Sequence, residues 1–324
     1  MADKKDIPFA LLEVLKEYTD EEHILSRREI IHRMEENYGL ELERRTLYAG
    51  LDLLRKYGYR ISTWQENGYG YYMEEHQFSK SEVFLLCNAI HSSHFISAKE
   101  SKVLIDKLLA TLSKAQKQEY TDQVYLPNRA KTRNSDLLKN IYELSNAIRD
   151  RHPVSFTYLQ YNENKELEPR REKPYEIEPR YIVFQDSRAY VIATSDHHEG
   201  FANYRIDRIR DLSILEDRKT NVLPDDLDAY AYAKNMYYMF NDAQTAAVIR
   251  CQRRILDHVI DIFGTDCIIR PADSEHFDVH ITGSEQGILL FAQQYLDAAE
   301  IIEPASLRQR MAQVISAAAK QYKH

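Results

Sequence analysis

The hydrophobic period of the sequence changes twice along the chain, and this change constrains the fold more than any other feature. Apolar residues recur three and four residues apart, at helical spacing, up to about residue 150. Residues 153–217 instead contain short β-branched and aromatic runs separated by polar turns, and strand-like and helix-like segments alternate after about residue 243. A chain of 324 residues is also too long for one core. We therefore predict a multi-domain α+β protein with helices first, then a small antiparallel β-barrel, then an α+β sandwich.

The amino-terminal region contains three helix patterns followed by a hairpin pattern. The second helix begins at a capping box formed by Ser26 and Glu29, and the third runs from about residue 43 to residue 57. The dipeptide Asn67-Gly68 lies between two apolar runs, and Asn-Gly supports the type I′ turn of a tight hairpin. A third helix long enough to enter a major groove, with a hairpin beside it, is the order of a winged helix-turn-helix. We predict that domain here.

The net charge of the chain is −8, yet the third helix is locally positive. Residues 1–75 contain 11 basic and 16 acidic side chains, whereas residues 44–60 contain five basic and one acidic. Helical spacing places Arg44, Tyr48, Asp52 and Arg55 on one outward face, with Arg45 and Lys56 adjoining. Because nucleic-acid binding depends on the patch that touches phosphate, this face predicts DNA binding. A platform for protein contacts is the alternative.

Other patterns argue against a membrane protein and against an enzyme. The chain has no run of about 18 apolar residues, and its first residues lack the order of a signal peptide, so we expect a cytoplasmic protein without membrane contact. The three cysteines are scattered, and His91 and His94 share a helix face without a third ligand nearby. Dinucleotide-binding, phosphate-loop and hydrolase motifs are absent from the sequence. We therefore predict no catalytic residue, no cofactor and no metal site.

Residues 42–73, LERRTLYAGLDLLRKYGYRISTWQENGYGYYM, resemble the winged-helix domain of bacterial regulators that also contain a WYL domain. The matching positions are Thr46, Tyr48, Leu51, Leu54, Gly58, Gly70, Tyr71 and Tyr72. The sequence departs from the family pattern at Ala49 and Gly50, where we predict no base contact, and at Glu43, which we expect to cap the helix in place of the usual Ser. The resemblance and the positive face together predict these DNA-binding residues: Arg44, Arg45, Thr46, Tyr48, Arg55, Lys56, Arg60, Asn67 and Tyr69.

Residues 180–196, RYIVFQDSRAYVIATSD, and residues 203–212, NYRIDRIRDL, resemble the WYL signature. The triplet Ala189-Tyr190-Val191 stands where the family has Trp-Tyr-Leu. The resemblance implies a small Sm/SH3-like antiparallel β-barrel whose positive face binds an effector, such as a nucleotide or a single-stranded nucleic acid. It also implies the effector-binding residues, which are Tyr158, Arg171, Tyr190, Arg205 and Arg208.

The residues themselves leave alternatives open at this effector site. Arg205 and Arg208 are three apart on a segment predicted to be extended, so we expect them on opposite faces. Arg208 alternatively pairs with Asp207 or another acid nearby, and Tyr190 alternatively packs in the core. Residues 150–219 contain 12 basic and 14 acidic side chains, so a positive pocket requires folding to separate the charges.

Residues 288–322, ILLFAQQYLDAAEIIEPASLRQRMAQVISAAAKQY, resemble the extension that often follows a WYL domain. The resemblance implies a ferredoxin-like module that assists dimerisation or ligand response. The predicted organisation is therefore a winged helix-turn-helix in residues 1–75, a helical linker in 76–134, the WYL barrel with its preceding helix in 135–220, a connector in 221–242 and the ferredoxin-like extension in 243–324.

Together these features predict an effector-responsive, sequence-specific transcriptional regulator that acts as a homodimer on a double-stranded DNA operator. The first alternative is an adaptor whose WYL barrel binds nucleic acid or protein while the winged helix serves as an interaction platform. The second is a nucleotide-processing enzyme, which turnover of nucleotides would reveal.

Overall fold

A computed structural model of the protein describes residues 4–74, 76–123, 131–185, 187–195, 198–222 and 244–322, with Asp228, Tyr232, Tyr238 and Asp242. The chain divides into two compact units, Met1–Arg133 and Asn134–His324. This composition of helical and β-rich parts confirms the predicted multi-domain α+β architecture at the coarse level. The connector predicted in residues 221–242 lies almost entirely outside the described residues.

The first unit begins with a short 3-10 turn and three helices, which are α1 (Ile7–Tyr18), α2 (Arg27–Tyr38) and α3 (Arg44–Lys56). The predicted capping box before α2 is present: the Ser26 hydroxyl accepts from the Glu29 amide, and the Glu29 carboxylate accepts from the Ser26 amide. Glu43 occupies the N-cap position of α3 as expected, but its side chain makes no capping hydrogen bond.

Close packing of α1 against α3 explains the glycine within α3. A Cβ atom built on Gly50 would lie 2.9 Å from Cδ2 of Leu11, which is fully buried. Glycine costs a helix about 1 kcal/mol relative to alanine, but here it lets the two helices approach. Leu47, Leu51 and Leu54 complete the apolar side of α3 in the same core.

The hairpin after α3 differs from the predicted tight turn. Its strands β1 (Ile61–Ser62) and β2 (Tyr72–Met73) have two residues each, and a single helical turn, α4 (Trp64–Asn67), lies between them. The Glu66 carboxylate accepts from the amide and hydroxyl of Thr63, and Gly68 ends the turn with φ of 75°. The type I′ prediction is therefore wrong, because the Thr63 and Glu66 capping pair starts a helical turn before the Asn-Gly dipeptide.

The rest of the first unit is helical, with α5 (Lys80–Ser92), α6 (Ala98–Leu109) and α7 (Lys114–Gln123). Capping boxes begin α5, at Ser79 and Glu82, and α6, at Ser97 and Glu100. A small core of their own holds these helices together, formed by Val83, Cys87, Leu109, Leu112 and Tyr120.

The second unit begins with helix α8 (Leu137–Asp150) and a six-stranded antiparallel sheet. Its strands are β3 (Val154–Tyr161), β4 (Leu167–Pro169), β5 (Tyr175–Gln185), β6 (Arg188–Ser195), β7 (His198–Arg205) and β8 (Ile209–Ile214). The strand order is β4-β3-β5-β6-β7, and β8 also pairs with β3, so the sheet curls around buried side chains. A 3-10 turn, Ile206–Arg208, joins β7 to β8, and the Asn134 side-chain amide donates to the carbonyl oxygens of Asp207 and Ile209 at 3.0 and 2.8 Å.

The carboxy-terminal part has the element order β-α-β-β-α-β, followed by one helix. Its elements are β9 (Gln244–Gln252), α9 (Leu256–Phe263), β10 (Ile268–Pro271), β11 (His276–Ser284), α10 (Glu285–Gln294), β12 (Ala299–Glu303) and α11 (Ala305–Gln321). The antiparallel sheet has the order β10-β11-β9-β12 over a core that includes Ile249, Val279 and Phe291. Among the helices described in either unit, none has the length and apolarity that crossing a bilayer requires.

Candidate nucleic-acid and effector sites

The outward face of α3 carries exposed basic side chains opposite its buried leucines. Arg44 and Arg45, at the first turn, and Lys56, at the last residue, are all exposed. None of the three forms an ion pair with any residue that the structure describes. Their charges are therefore available to a partner outside the molecule. We call this surface the α3 face.

Tyr48 lies within the α3 face and its side chain is held in place. Its ring centroid is 6.4 Å from that of Tyr71, and the Arg44 guanidinium carbon lies 5.4 Å from the Tyr48 ring centroid. Hydrogen bonds from Tyr71, Arg27 and Arg44 lower the pKa of Tyr48, while burial raises the pKa of Tyr71 to about 12. Sequence reasoning missed Arg27, whose signal was its position at the first residue of α2, directly after the capping serine.

The other predicted DNA-binding residues have different surroundings. Arg55 Nη2 lies 3.0 Å from Glu66 Oε1, and Arg60 Nε lies 3.3 Å from Glu74 Oε2, so both are paired. Asn67 uses its side chain within the hairpin, since its Oδ1 accepts from the amides of Tyr69 and Gly70 and its Nδ2 donates to Ser62 and Gly70. Tyr69 is 77% exposed, and Thr46 is half-buried.

Four aromatic rings meet at the β3, β5 and β7 strands of the second unit. Every pair among Phe156, Tyr158, Tyr175 and Tyr204 has ring centroids between 5.5 and 6.2 Å apart. Burial raises the pKa of both Tyr158 and Tyr204, so both phenols are neutral near pH 7. We call these four rings the aromatic cluster.

Two arginines are held against the aromatic cluster by defined partners. The Arg171 guanidinium carbon lies 3.5 Å from the Tyr175 ring centroid, and its nitrogens donate to the carbonyl oxygens of Lys173 and Pro174. Arg205 makes a bidentate pair with Asp207, at 3.0 and 2.7 Å, and its backbone amide donates to the Tyr158 hydroxyl. Both guanidinium groups are thereby fixed in orientation.

Arg208 occupies a different position from the one expected. The alternative ion pair with Asp207 is wrong, because Asp207 binds Arg205. We expected Arg205 and Arg208 on opposite faces of an extended segment. That expectation does not apply, because Ile206–Arg208 is a 3-10 turn. Positive charge from both arginines opposes the rise in the pKa of Tyr158 that burial causes. Arg208 Nε is buried and, among the described residues, has no hydrogen-bond partner.

Tyr190 is buried in β6, opposite Arg205 in the strand pairing, and is not one of the four clustered rings. Sequence reasoning did not select Phe156, Tyr175 or Tyr204. The sequence gives little indication of these three residues, because they come together only when distant strands pair. The one local indication is that Tyr204 directly precedes Arg205. Within the described residues, no group of three or more His, Cys, Asp or Glu side chains is placed to hold a metal ion.

Comparison with known proteins identifies the domain that contains the aromatic cluster. The family model of the WYL domain matches residues 139–214, which confirms the resemblance drawn from the sequence. No curated protein matches the chain. Among solved structures, it is similar to proteasome accessory factor B/C (PafBC) of Arthrobacter aurescens, at 18% identity and a TM-score of 0.28, over 99% of this chain and 49% of that one.

A second similar structure is that of a CRISPR Cas-related protein, at 13% identity and a TM-score of 0.39, over 75% of this chain and 72% of that chain. The chain thus spans about half the length of the PafBC chain, 49%. The match over residues 139–214 assigns a WYL domain to that part of the chain.

Proposed function

We propose that the chain is an effector-responsive, sequence-specific transcriptional regulator that acts as a homodimer on double-stranded DNA. The observation that carries this proposal is the α3 face, where Arg44, Arg45 and Lys56 are exposed without an ion pair among the described residues. An anionic chain of net charge −8 concentrates unpaired positive charge on one helix, which is what a local phosphate-binding patch requires. The WYL domain in the same chain supports a sensing role.

In this proposal the first unit contains a winged helix whose α3 enters the major groove. Arg44 and Arg45, near the start of α3, read base edges, and Tyr48 keeps Arg44 in place. Arg27, at the first residue of α2, contacts backbone phosphate, which the positive end of a helix dipole also favours. Lys56 adds a second phosphate contact at the other end of α3.

The WYL domain, in this proposal, is an Sm-like barrel that binds a nucleotide or a short single-stranded nucleic acid at the aromatic cluster. A Tyr ring offers a base a stacking surface, and guanidinium groups bind phosphate. Arg171 and Arg208 serve the phosphate, because Asp207 already neutralises Arg205. The neutral Tyr204 hydroxyl is available as a hydrogen-bond donor.

The carboxy-terminal part supports dimerisation in this proposal. Its β-α-β-β-α-β order and its sheet order, β10-β11-β9-β12, are those of a ferredoxin-like module. A two-fold dimer reads a palindromic operator whose half-sites are separated by whole helical turns, about 10 base pairs each. The effector then regulates by binding one arrangement of the dimer more tightly than another.

Fluorescence anisotropy with duplexes from the region upstream of the protein's own gene tests this proposal. We expect one duplex to bind more tightly than a scrambled duplex of equal length, and both affinities to fall as salt rises. The variant R44A/R45A should lose the preference. The matched control is R33A, which removes an exposed charge from α2, where Arg33 pairs with Glu36. Equal affinity for all duplexes at low and at high salt would instead support the adaptor role.

A further inference from the structure

A cavity of about 520 Å³ lies in the first unit and shares no lining residue with either site described above. Its wall combines His91 of α5, four residues of α6, and the segment 131–133. Its basic side chains are His91, Lys102, Lys131 and Arg133, and none of the described residues that line it is Asp or Glu. The volume lies in the range of small-molecule sites, about 300 to 1,000 Å³. We call it the linker cavity.

Lys131 brings a positive charge into the wall of this cavity and forms no ion pair within the part of the chain that the structure describes. Its Nζ donates to the carbonyl oxygens of Ile90 and Ser93, at 3.2 and 3.0 Å, and to the hydroxyl of Ser101, at 2.9 Å. All three acceptors are neutral, and burial lowers the pKa of Lys131. These contacts satisfy the three N–H groups and position the ammonium, but they do not neutralise its charge.

Lys102 and Arg133 add two more uncompensated charges at the rim. Both are exposed, and neither forms an ion pair with any described residue. Some other lysines of this unit are paired, as Lys114 is with Glu17, at 2.8 Å. At the linker cavity, in contrast, Lys102, Lys131 and Arg133 line one space.

The start of α6 favours the same kind of ligand. Ala98, the first residue of this twelve-residue helix, lines the cavity. The Glu100 carboxylate is turned back onto the amide and hydroxyl of Ser97, so it caps the helix and does not line the cavity. The positive end of the α6 dipole and three cationic side chains thus surround one space.

We propose that the linker cavity binds a small anionic molecule through a phosphate or pyrophosphate group. Lys102 and Arg133 contact the anion directly, and Lys131 supplies charge from the wall behind them. The Thr132 amide donates to the His94 carbonyl oxygen, at 2.9 Å, which holds the segment carrying these bases against α5. This site is separate from the aromatic cluster and does not depend on the proposed effector.

Isothermal titration of the full chain with inorganic pyrophosphate tests the proposal. The variant K102A/R133A should weaken pyrophosphate binding at this site at least about tenfold, as expected for the loss of charge-assisted hydrogen bonds. The matched control, K99A, removes an exposed charge of α6 that does not line the cavity and should leave binding unchanged. Lys131 stays intact in both variants, so its hydrogen bonds to Ile90, Ser93 and Ser101 are kept.

Four outcomes would overturn the proposal. Pyrophosphate fails to bind at millimolar concentration, or it binds the double variant as tightly as the unmodified chain. Alternatively, binding is lost in R171A/R208A but kept in K102A/R133A, which would assign the anion to the aromatic cluster. A duplex oligonucleotide that displaces pyrophosphate and binds K102A/R133A more weakly would make the cavity rim a DNA contact instead.

Discussion

The α3 face and the aromatic cluster both combine arginine with tyrosine, but they use arginine in opposite ways. On the α3 face, Arg45 and Lys56 are exposed and unpaired among the described residues. At the aromatic cluster, Asp207 holds Arg205, and the Tyr175 ring with two carbonyl oxygens holds Arg171. Unpaired surface charge suits a long polyanion, whereas fixed guanidinium groups around buried rings suit a small ligand of one shape.

The strongest test of this difference is the substitution D207A. It leaves the Arg205 guanidinium largely buried without a counter-charge, and breaking such a pair costs about 3 to 5 kcal/mol. Hydrogen exchange of β3 and β5 peptides in urea measures the loss. The control D150A removes an exposed carboxylate that pairs with Arg149, and its urea midpoint of unfolding should shift far less than that of D207A. Equal shifts in the two variants would mean that Arg205 is not held as described.

The substitution R45A should weaken binding to the preferred duplex by about 1 to 3 kcal/mol and relax specificity. K56A should weaken binding to every duplex alike and reduce the slope of log affinity against log salt by about 1. Anisotropy titrations at several salt concentrations distinguish the two, with R33A as control. Unchanged affinity in both variants would remove the α3 face as the DNA-binding surface.

At the aromatic cluster, the best test is R171A. Removing the guanidinium from above Tyr175 should weaken binding of a short labelled single-stranded oligonucleotide about tenfold. Affinity for the duplex without effector should not change. R188A, an exposed arginine at the start of β6, is the control. Arg205 is less suitable for this test, because its removal also leaves the buried Asp207 carboxylate without its ion-pair partner. Equal loss of single-strand and duplex binding in R171A would contradict two separate sites.

The smallest expected effect concerns acid stability of the first unit. Burial alone would raise the pKa of Asp20. Hydrogen bonds from Ser113, His23 and the Glu22 amide outweigh burial, so the pKa of Asp20 lies below its ordinary value of 3.8. A lowered pKa contributes stability above the unfolded-state value, and this stability is lost as pH falls below about 4. D20N should thus be less stable at pH 7 and approach the unmodified chain at pH 3.

Fluorescence of Trp64, the single tryptophan, follows unfolding of the first unit at each pH. A constant difference between D20N and the unmodified chain from pH 7 to pH 3 would show that the Asp20 charge contributes nothing. The variant S113A, which removes the hydroxyl bonded to Asp20, should show the same trend more weakly.

Local signals in the sequence predicted the helices well, because a capping box involves residues only three apart. Ser26 begins α2 as expected. The Asn67-Gly68 turn failed for a similar reason, since Thr63 and Glu66 form a competing local motif. The sequence also indicated the WYL domain and four of its arginine and tyrosine positions near the cluster.

The aromatic cluster itself was beyond reach of local reasoning. Tyr175 and Tyr204 meet Phe156 only because strands far apart in the sequence come together in the folded sheet. The relative placement of Arg205 and Arg208 depended on a 3-10 turn that looks extended in sequence. The exposure of the α3 face, in contrast, followed directly from helical spacing.

In the effector site that we propose, the Arg205–Asp207 pair would make binding depend on the charge of the ligand. An uncharged nucleoside finds rings to stack on but gives Arg171 no oxyanion to grip. A heavily charged molecule that binds Arg205 must displace the buried Asp207 carboxylate from it. The Asp207 backbone resists this movement, because its carbonyl oxygen accepts from the Asn134 side-chain amide. We therefore expect a ligand with one phosphate group to bind more tightly than an uncharged nucleoside or a heavily charged molecule.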